Sequence, residues 1–328
     1  MKEFALGVDG GGTNTQCALF DLEGNLIDVL DWGPTNHEVL AGGFEELEES
    51  LKAMLGIFYA KHSIDAKNLV SCAFGMAGVD TKKQAKIIGD MIKRLGINRF
   101  ILSNDAYLGV KAGCPSGVGI CVINGTGATI AGIDVDGSMI QIGGQGGFTG
   151  DVGGGGALAV AAISKVYDHL FRDGRHTILK DMLFHRLKIS SRHDFMDAVT
   201  GGLQDGSLER VDVTKMLFEA ASQKDEVALE ILRYVGTELG RSVNGAINEL
   251  GFADIEVIDV VLAGSVNVKG SDPALVDAIK AEVLSKNPDR RIEFIILEHP
   301  PVAGAVIWAL EGVYKGKGLF DKVVGQFS

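Results

Sequence analysis

The sequence has few of the features that mark membrane, secreted or metal-binding proteins. Its 328 residues include four cysteines, Cys17, Cys72, Cys114 and Cys121, and no CxxC pair. This spacing favours reduced core cysteines over disulfides or a zinc site. No apolar run approaches the roughly 20 residues that cross a bilayer, and the start, MKEFALGVDGG, lacks the parts of a signal peptide. We therefore expect a soluble, cytoplasmic protein that makes no membrane contact.

Basic residues are outnumbered by acidic ones. The chain has 31 Lys and Arg against 43 Asp and Glu, which gives a formal net charge of −12. Proteins that bind nucleic acid gain most of their affinity from contacts of basic residues with phosphates, and no dense basic cluster offsets this total. Nucleic acid is not an expected partner.

Glycine, by contrast, is abundant and clustered. The 45 glycines gather at residues 7–12, 113–127 and 143–156. Clustered glycines allow positive φ angles and a close approach of the backbone to a ligand. These three segments are therefore candidate binding loops.

The hydrophobic pattern alternates between strands and helices. Strand, glycine turn and strand (FALGVD, GGGTN, TQCALF) are followed by a helix over 42–62, a strand over 69–75, a helix over 80–95 and a strand over 99–105. This order predicts an α/β layer. The opening pattern then returns in GVGICVINGTGATIAGIDVDGSMIQIGG, 113 positions later.

The offset of 113 superposes five identical residues. They are Gly12 on Gly125, Thr13 on Thr126, Ala18 on Ala131, Asp21 on Asp134 and Gly24 on Gly137. Such agreement indicates an internal duplication. We predict two α/β domains, residues 1–115 and 116–328, each with one Gly/Thr turn, and a helical insert over about 157–250 in the second.

The first Gly/Thr turn has the composition of a phosphate loop. Asp9 ends a strand, the glycines of residues 10–12 expose backbone N–H groups, and Thr13 and Thr15 add hydroxyl donors. It matches neither GxxxxGK[ST] nor the dinucleotide fingerprint, because a strand follows it. A plain hairpin turn is the alternative. The duplicate NGTGAT at 124–129 favours two turns that hold one phosphate chain from opposite sides.

Asp105 stands at the end of an apolar strand, where a helix begins. In LSNDAYLG, both Asn104 and Asp105 are suitable helix N-caps. A carboxylate at the carboxyl end of a strand is also where α/β proteins place catalytic groups. The residues alone leave both interpretations open.

The order of the motifs resembles a known superfamily. Asp-Gly-Gly-Gly-Thr at 9–13, Asn-Asp-Ala at 104–106, Gly-Thr-Gly at 125–127 and Ala-Gly-Ser at 263–265 are similar to the motifs of the sugar kinase, actin and Hsp70 ATPases. GPTNHEVL and GGQGGFTGDVGGGG narrow the resemblance to the BadF/BadG/BcrA/BcrD group, and within it to the N-acetylglucosamine kinases. The resemblance spans essentially the whole chain. It implies two ribonuclease H-like (actin-like ATPase) domains around a cleft, with the last helix packed back on the first domain.

The same resemblance implies an ATP-dependent sugar kinase that uses Mg²⁺. It would transfer the γ-phosphate to a hydroxyl, the 6-OH, of N-acetylglucosamine or a related amino sugar or hexose. Asp9 would hold Mg²⁺ through water, and Asp105 would take the proton of the attacking hydroxyl. The phosphates would contact Gly10, Gly11, Gly12, Thr13, Asn14, Thr15, Gly125, Thr126 and Gly127. The adenosine would contact Ala263, Gly264 and Ser265, and the sugar would contact Asn36, Asp105, Gly144, Gln145 and Asp151. We expect a homodimer.

The glycine-rich loop over 143–156 departs from the family pattern. Gln145 stands in place of the aromatic residue of Gly-Gly-Trp-Gly, and Val152 and Gly154 replace Glu and Ser of Gly-Asp-Glu-Gly-Ser. These positions belong to the sugar pocket. The identity of the sugar therefore stays open.

Two other functions also stay open. Activators of 2-hydroxyacyl-CoA dehydratases, from the same group, hold a [4Fe–4S] cluster with two cysteines from each subunit, for which Cys114 and Cys121 are the candidates here. The second is a non-catalytic sugar or nucleotide sensor. The run SLERVDV at 207–213 is interpreted as a solvated face.

Overall fold

Two five-stranded mixed sheets form the framework of the protein, which is described here by a computed structural model over residues 2–327. The strands are β1 (Phe4–Gly10), β2 (Thr15–Asp21), β3 (Leu26–Trp32), β4 (Leu69–Met76), β5 (Phe100–Ser103), β6 (Gly119–Asn124), β7 (Ala128–Ile133), β8 (Met139–Gly143), β9 (Val257–Ala263) and β10 (Arg291–Ile296). The first sheet has the order β3-β2-β1-β4-β5, and the second has the order β8-β7-β6-β9-β10. The two orders are the same, so the predicted duplication is confirmed. We call the units built on these sheets lobe I and lobe II.

Twelve α-helices surround the sheets within residues 2–327. They are α1 (Gly43–His62), α2 (Lys82–Arg94), α3 (Ala106–Gly113), α4 (Gly155–Phe171), α5 (Leu179–Leu187), α6 (Phe195–Asp205), α7 (Arg210–Ser222), α8 (Glu226–Leu250), α9 (Ser265–Lys269), α10 (Ala274–Lys286), α11 (Val302–Glu311) and α12 (Leu319–Val324). None of the helices in this part of the chain is long and apolar enough to cross a membrane.

Helix α1 shows how the sequence pattern produces packing in lobe I. Leu47, Leu51, Met54 and Phe58 recur at spacings of three and four, so they lie on one helix face. That face packs into the same core as Phe4, Leu6 and Val8 of β1. The helix ends at Ser63, whose left-handed φ of 53° lets its N–H reach the carbonyl of Tyr59.

Lobe II carries the helical insert. Helices α4 to α8 share one core with β6, β7 and β9. Helix α8 packs closely on α10, because a Cβ at Gly236 or Gly240 would meet backbone atoms of Leu275 or Ile279. The predicted helical insert is confirmed, and the short helices α9 and α12 lie outside every segment that the sequence pattern predicts as helical.

Helices α3 and α11 lie between the two lobes, and each packs on the sheet of the opposite lobe. Helix α3, which follows the last strand of lobe I, packs on β6, β7 and β9, whereas α11, which follows the last strand of lobe II, packs on β1 and β4. The two helices also contact each other, with Gly304 of α11 against the backbone carbonyl of Leu108. At the outer end, Lys111 Nζ lies 2.8 Å from Glu311 Oε1 and 5.5 Å from the centre of the Trp308 ring.

Candidate active site

The first Gly/Thr turn is a tight loop fixed by its own backbone. Gly11 N–H donates to the Asn14 carbonyl at 3.1 Å, and the Gly11 carbonyl accepts from the backbone N–H of Thr35 at 3.0 Å. Thr13 and Asn14 are exposed. Thr15 is fully buried, with its hydroxyl 2.8 Å from that of Thr35. The hydroxyl of Thr15 therefore has no path to a nucleotide in this structure, and it supports the turn from below.

The second turn faces the first from lobe II. Thr126 Oγ1 lies 3.4 Å from Thr13 Oγ1 across the cleft. The Asn124 side chain fixes this turn, because it accepts from Gly154 N–H at 2.7 Å and donates to Asn267 Oδ1 at 3.1 Å. The two duplicated turns thus face each other across one narrow space, with one turn on each lobe.

A cavity of about 880 Å³ opens from this space into lobe II. Its lining includes Thr13, Gly125, Thr126, Gly155, Gly156, Arg210, Val211, Thr214, Lys215, Phe218, Ser265, Val266, Lys269, Gly270 and Ser271. Arg210, Lys215 and Lys269 bring positive charge to a cavity whose mouth is the pair of turns. The interpretation of SLERVDV as a solvated face is confirmed for its exposed residues Ser207, Glu209, Arg210 and Val211. Arg210 and Val211, at the start of α7, also line the cavity.

The Ala-Gly-Ser motif lies beside the second turn. Ile123 of β6 pairs with Ala263 of β9, so the ends of these parallel strands are neighbours. Gly264 has a φ of +86°, and a Cβ there would collide with the backbone of Asn124. Ser265 lines the cavity, whereas the Ala263 side chain is buried in the core between the lobes.

Three carboxylates lie at or just beyond the carboxyl ends of three neighbouring parallel strands of lobe I. In the sheet, Asp9 pairs with Gly75, and Gly75 pairs with Ser103. The ends of β1, β4 and β5 therefore meet at one edge, which brings Asp9, Asp80 and Asp105 to the cleft.

These carboxyl groups have raised pKa values. Burial, with a smaller contribution from the charge of Asp105, raises the pKa of Asp9 to about 8. Burial and the charge of Asp80 raise the pKa of Asp105 to about 7. Carboxylates crowded in this way are suited to accepting a proton or to facing a cation.

The alternative role for Asp105 was to cap a helix. Asp105 occupies the N-cap position of α3, yet its side chain makes no capping bond. Asn104 takes that role, because its Oδ1 accepts from the Ala106 N–H at 2.9 Å. The Asp105 carboxylate is therefore not needed to start the helix.

The Thr-Asn-His segment packs against the first turn. Asn36 Oδ1 accepts from the Glu38 N–H at 2.9 Å, and its Nδ2 lies beside Gly12. The His37 ring stacks on Phe44 with centres 4.0 Å apart. Burial lowers the pKa of His37, and its buried Nδ1 has no hydrogen-bond partner among residues 2–327. Asn36 thus lies beside the first turn, at the lobe I side of the cleft.

The glycine-rich loop over 143–156 reaches the cleft from lobe II. Asp151 Oδ2 accepts from Gly146 N–H at 2.7 Å and from Thr149 Oγ1 at 2.8 Å, so this oxygen closes its own loop. Asp151 Oδ1 lies against Gly143. Gly144 is next to Asp80, and Gln145 is exposed. The loop therefore leaves only one Asp151 oxygen free for a sugar.

Sequence reasoning missed Asp80, Gln141 and Arg210. Asp80 follows β4 in the way that Asp105 follows β5, so the same strand-end rule could have found it. Gln141 lies on β8, where alternation alone could not show which face points to the cleft. Arg210 comes from the insert, whose placement depends on tertiary packing.

The chain is similar to known proteins over nearly its full length. A family model described as the BadF/BadG/BcrA/BcrD ATPase family matches residues 6–309. The chain is 26% identical over 309 residues to an N-acetylmuramic acid/N-acetylglucosamine kinase of Clostridium acetobutylicum, covering 94% of this chain and 98% of that protein. It is 25% identical over 326 residues to an N-acetyl-D-glucosamine kinase of Dictyostelium discoideum, again covering 94% of this chain and 98% of that protein.

A solved structure shows the same fold. It comes from Chromobacterium violaceum and was assigned provisionally as an N-acetylglucosamine kinase. Its TM-score is 0.67 at 20% sequence identity, and the match covers 94% of this chain and 99% of that one. The family model spans both lobes and the cleft between them, and it confirms the resemblance that the motifs predicted. The chain belongs to the BadF/BadG/BcrA/BcrD ATPase family.

Proposed function

We propose that this protein is an ATP-dependent kinase that phosphorylates a hydroxyl, the 6-OH, of N-acetylglucosamine or a related amino sugar or hexose. The observation that carries the proposal is the position of Asp105, which lies in the same cleft as the paired Gly/Thr turns and is not used to cap α3. The full-length relatives named as kinases of N-acetylated amino sugars support this acceptor class.

The residues of the cleft divide the chemistry between the two lobes. The polyphosphate of ATP lies along the two Gly/Thr turns where they border the cavity, and the adenosine occupies the part of the cavity that Ser265 and Arg210 line. Asn36 and the free oxygen of Asp151 orient the sugar. Asp105 accepts the proton of the attacking hydroxyl as the new oxygen–phosphorus bond forms and the bond to ADP breaks. Such a reaction depends on positioning and charge neutralisation more than on covalent help from the protein.

The donor set around Asp9 fits Mg²⁺. Burial and the nearby charge of Asp105 raise the pKa of Asp9, and a divalent cation beside Asp9 would relieve that repulsion. No group of three or more His, Cys, Asp or Glu side chains within residues 2–327 could hold a metal. Mg²⁺ at kinase sites is held by one or two carboxylates, waters and substrate phosphates. When bound, it would neutralise the charge of the phosphates.

The cysteines do not support the dehydratase-activator alternative. A cluster shared between subunits needs thiols at the surface, yet Cys114 and Cys121 are fully buried in the core between the lobes. Burial raises the pKa of the Cys114 thiol further from the thiolate form that binds iron.

Turnover with a panel of sugars tests the proposed function. The protein is incubated with MgATP and, separately, with hexoses, free amino sugars and N-acetylated amino sugars, and ADP release is followed. We expect at least one N-acetylated amino sugar or hexose to stimulate ADP release strongly above the rate without sugar. Sugar binding without turnover would instead support the sensor, and an iron-containing protein after anaerobic purification would support the activator.

The raised pKa of Asp105 predicts a pH dependence. A general base acts in its deprotonated form, so kcat/KM for the sugar should fall by about tenfold per pH unit once the pH is below about 7. The rate is measured between about pH 5 and about pH 8, with ATP affinity at each pH as the control. A flat profile over this range would remove Asp105 from the role of base.

Two further features of the protein are proposals of the same kind. We place the domain boundary near residues 115 and 116, and we expect a homodimer, which sedimentation at several protein concentrations would reveal. A cytoplasmic location would supply the ATP that the proposed reaction consumes.

A further inference from the structure

Asp80 is a half-buried carboxylate at the cleft to which no motif assigns a role. It follows β4, one strand from Asp105, and its Oδ1 accepts two side-chain amides. Asn104 Nδ2 donates at 2.9 Å, and Gln141 Nε2 donates at 2.5 Å. Its backbone N–H donates to Gln84 Oε1 at 3.2 Å, which fixes the loop that carries it.

The two amide donors come from different lobes. Asn104 lies in lobe I, immediately before Asp105, whereas Gln141 lies on β8 of lobe II. The hydrogen bond between Asp80 and Gln141 therefore crosses the cleft. It does so at the sugar end, since Gly144 of the glycine-rich loop lies beside Asp80. The contact between Thr13 and Thr126 crosses the cleft at the phosphate end.

Asn104 continues the connection toward the reacting group. Its Nδ2 donates to Asp80 while its Oδ1 accepts from the Ala106 N–H at 2.9 Å, the first N–H of α3. These two bonds enclose Asp105, which lies between Asn104 and Ala106 in the chain. An unbroken path of hydrogen bonds thus runs from lobe II through Gln141, Asp80 and Asn104 to the backbone that carries Asp105.

A half-buried carboxylate at this position costs free energy unless hydrogen bonds or an opposite charge compensate for its partial removal from water. Burial raises the pKa of Asp80, and the charge of Glu38 acts in the same direction, whereas the hydrogen bond from Gln141 opposes them. No Lys or Arg forms an ion pair with Asp80 among residues 2–327. The two amide donors are its compensation, and hydrogen bonds to an ionised acceptor are roughly twice as strong as neutral ones. The bond to Gln141 therefore favours the closed arrangement of the lobes.

We propose that Asp80 is a positioning residue that links closure of the two lobes over the acceptor, through Gln141, to the placement of Asp105, through Asn104. This inference rests on the proposed function, because it concerns the acceptor site of that reaction. Loss of the hydrogen bond from Gln141 should weaken sugar binding, since the lobes close less firmly. Loss of Asp80 should affect both sugar binding and turnover, since its hydrogen bonds to Gln141 and to Asn104 are both lost.

A double-mutant cycle tests this coupling. Asp80→Ala, Gln141→Leu and the double variant are compared with the unchanged protein by steady-state kinetics at varied sugar and varied ATP. We expect Gln141→Leu mainly to raise KM for the sugar, and Asp80→Ala to lower kcat/KM for the sugar by up to about 100-fold. The double variant should be no worse than Asp80→Ala, and KM for ATP should change little. Asp80→Asn, which keeps an acceptor oxygen, should recover part of the lost activity.

The chain offers a matched control pair. Gln16 Nε2 donates to Asp31 Oδ1 at 2.8 Å on the exposed side of lobe I, so Asp31→Ala and Gln16→Leu remove the same kind of bond within one lobe. These variants should leave the kinetics for sugar unchanged. Additive effects of Asp80→Ala and Gln141→Leu, or effects equal to those of the control pair, would overturn the inference.

The outcome also separates this inference from the proposed function. If the unchanged protein phosphorylates no sugar, the proposed function fails. If it is active and Asp80→Ala keeps its sugar KM and kcat, only the role of Asp80 fails. Spin labels on α1 and α8 give a readout that is independent of activity. The distance distribution between them should broaden in Asp80→Ala and in Gln141→Leu, but not in Gln16→Leu, and unchanged distributions would overturn the closure role.

Discussion

Asp105→Asn is expected to lower kcat for sugar phosphorylation by roughly 10²–10⁴-fold, the range in which loss of a general base falls. The amide has nearly the same shape, but it cannot take the proton of the attacking hydroxyl. The capping bond of α3 comes from Asn104, so the substitution leaves the start of the helix intact. Nucleotide affinity, measured by titration calorimetry, should be almost unchanged, because the cavity for ATP is lined by residues other than Asp105.

The exposed Asp136 provides the control for this variant. It lies in the turn between β7 and β8, where its side chain accepts from the N–H and the hydroxyl of Ser138, so Asp136→Asn should keep full activity. A rate for Asp105→Asn close to that of Asp136→Asn would show that another group removes the proton. A loss of nucleotide affinity parallel to the loss of turnover would instead show damage to the fold of the cleft.

Gly304→Ala is expected to lower the free energy of unfolding by roughly 3 kcal/mol, at the upper end for overpacking in a core. A Cβ at Gly304 would overlap the carbonyl oxygen of Leu108 and would lie 2.8 Å from the backbone nitrogen of Ala112. Both atoms belong to the backbone of α3, which cannot move aside as a flexible side chain can. The effect is measured as the change in the urea midpoint and slope of unfolding.

Gly56→Ala is the matched control, and its expected effect on the free energy of unfolding has the opposite sign. Gly56 lies in the middle of α1, is exposed, and has no atom within 4 Å of the position that a Cβ would take. Alanine at such a position should stabilise the protein by about 0.5–1 kcal/mol through its higher helix propensity. If Gly304→Ala behaved like Gly56→Ala, the close packing of α3 and α11 would be wrong.

Much of the fold could be predicted because its signals are local. The buried positions of α1 recur at helical spacing, and the duplicated Gly/Thr turns indicate that the two halves of the chain have the same fold. The strand predicted over 99–105 ends earlier, at Ser103, because Asn104 leaves the sheet to cap α3. The short helices α9 and α12 escaped prediction, since helices of five and six residues have too few turns to show a period.

The site was less predictable than the fold. Asp105 and the glycine turns stand at strand ends, which a strand pattern reveals. The side-chain partners depend on rotamers and on neighbours far along the chain. Thr15 looks like a phosphate ligand in the sequence, yet the structure buries it against Thr35. Asp80 and Gln141, which are 61 positions apart, become partners only when the lobes meet.

The exchange of α3 and α11 bears on how such a molecule could have arisen. These helices occupy equivalent places in the two halves, and each covers the sheet of the other half. A single half produced alone would leave one sheet face bare and one apolar helix without a partner. Two identical copies of an ancestral half could cover the sheet face and bury the helix by exchanging that helix across a two-fold axis, as domain-swapped dimers do. Fusion of two such copies into one chain would preserve this exchange of helices. Residues 1–115 and 116–328, made as separate fragments, should therefore assemble when mixed, while neither should be stable alone.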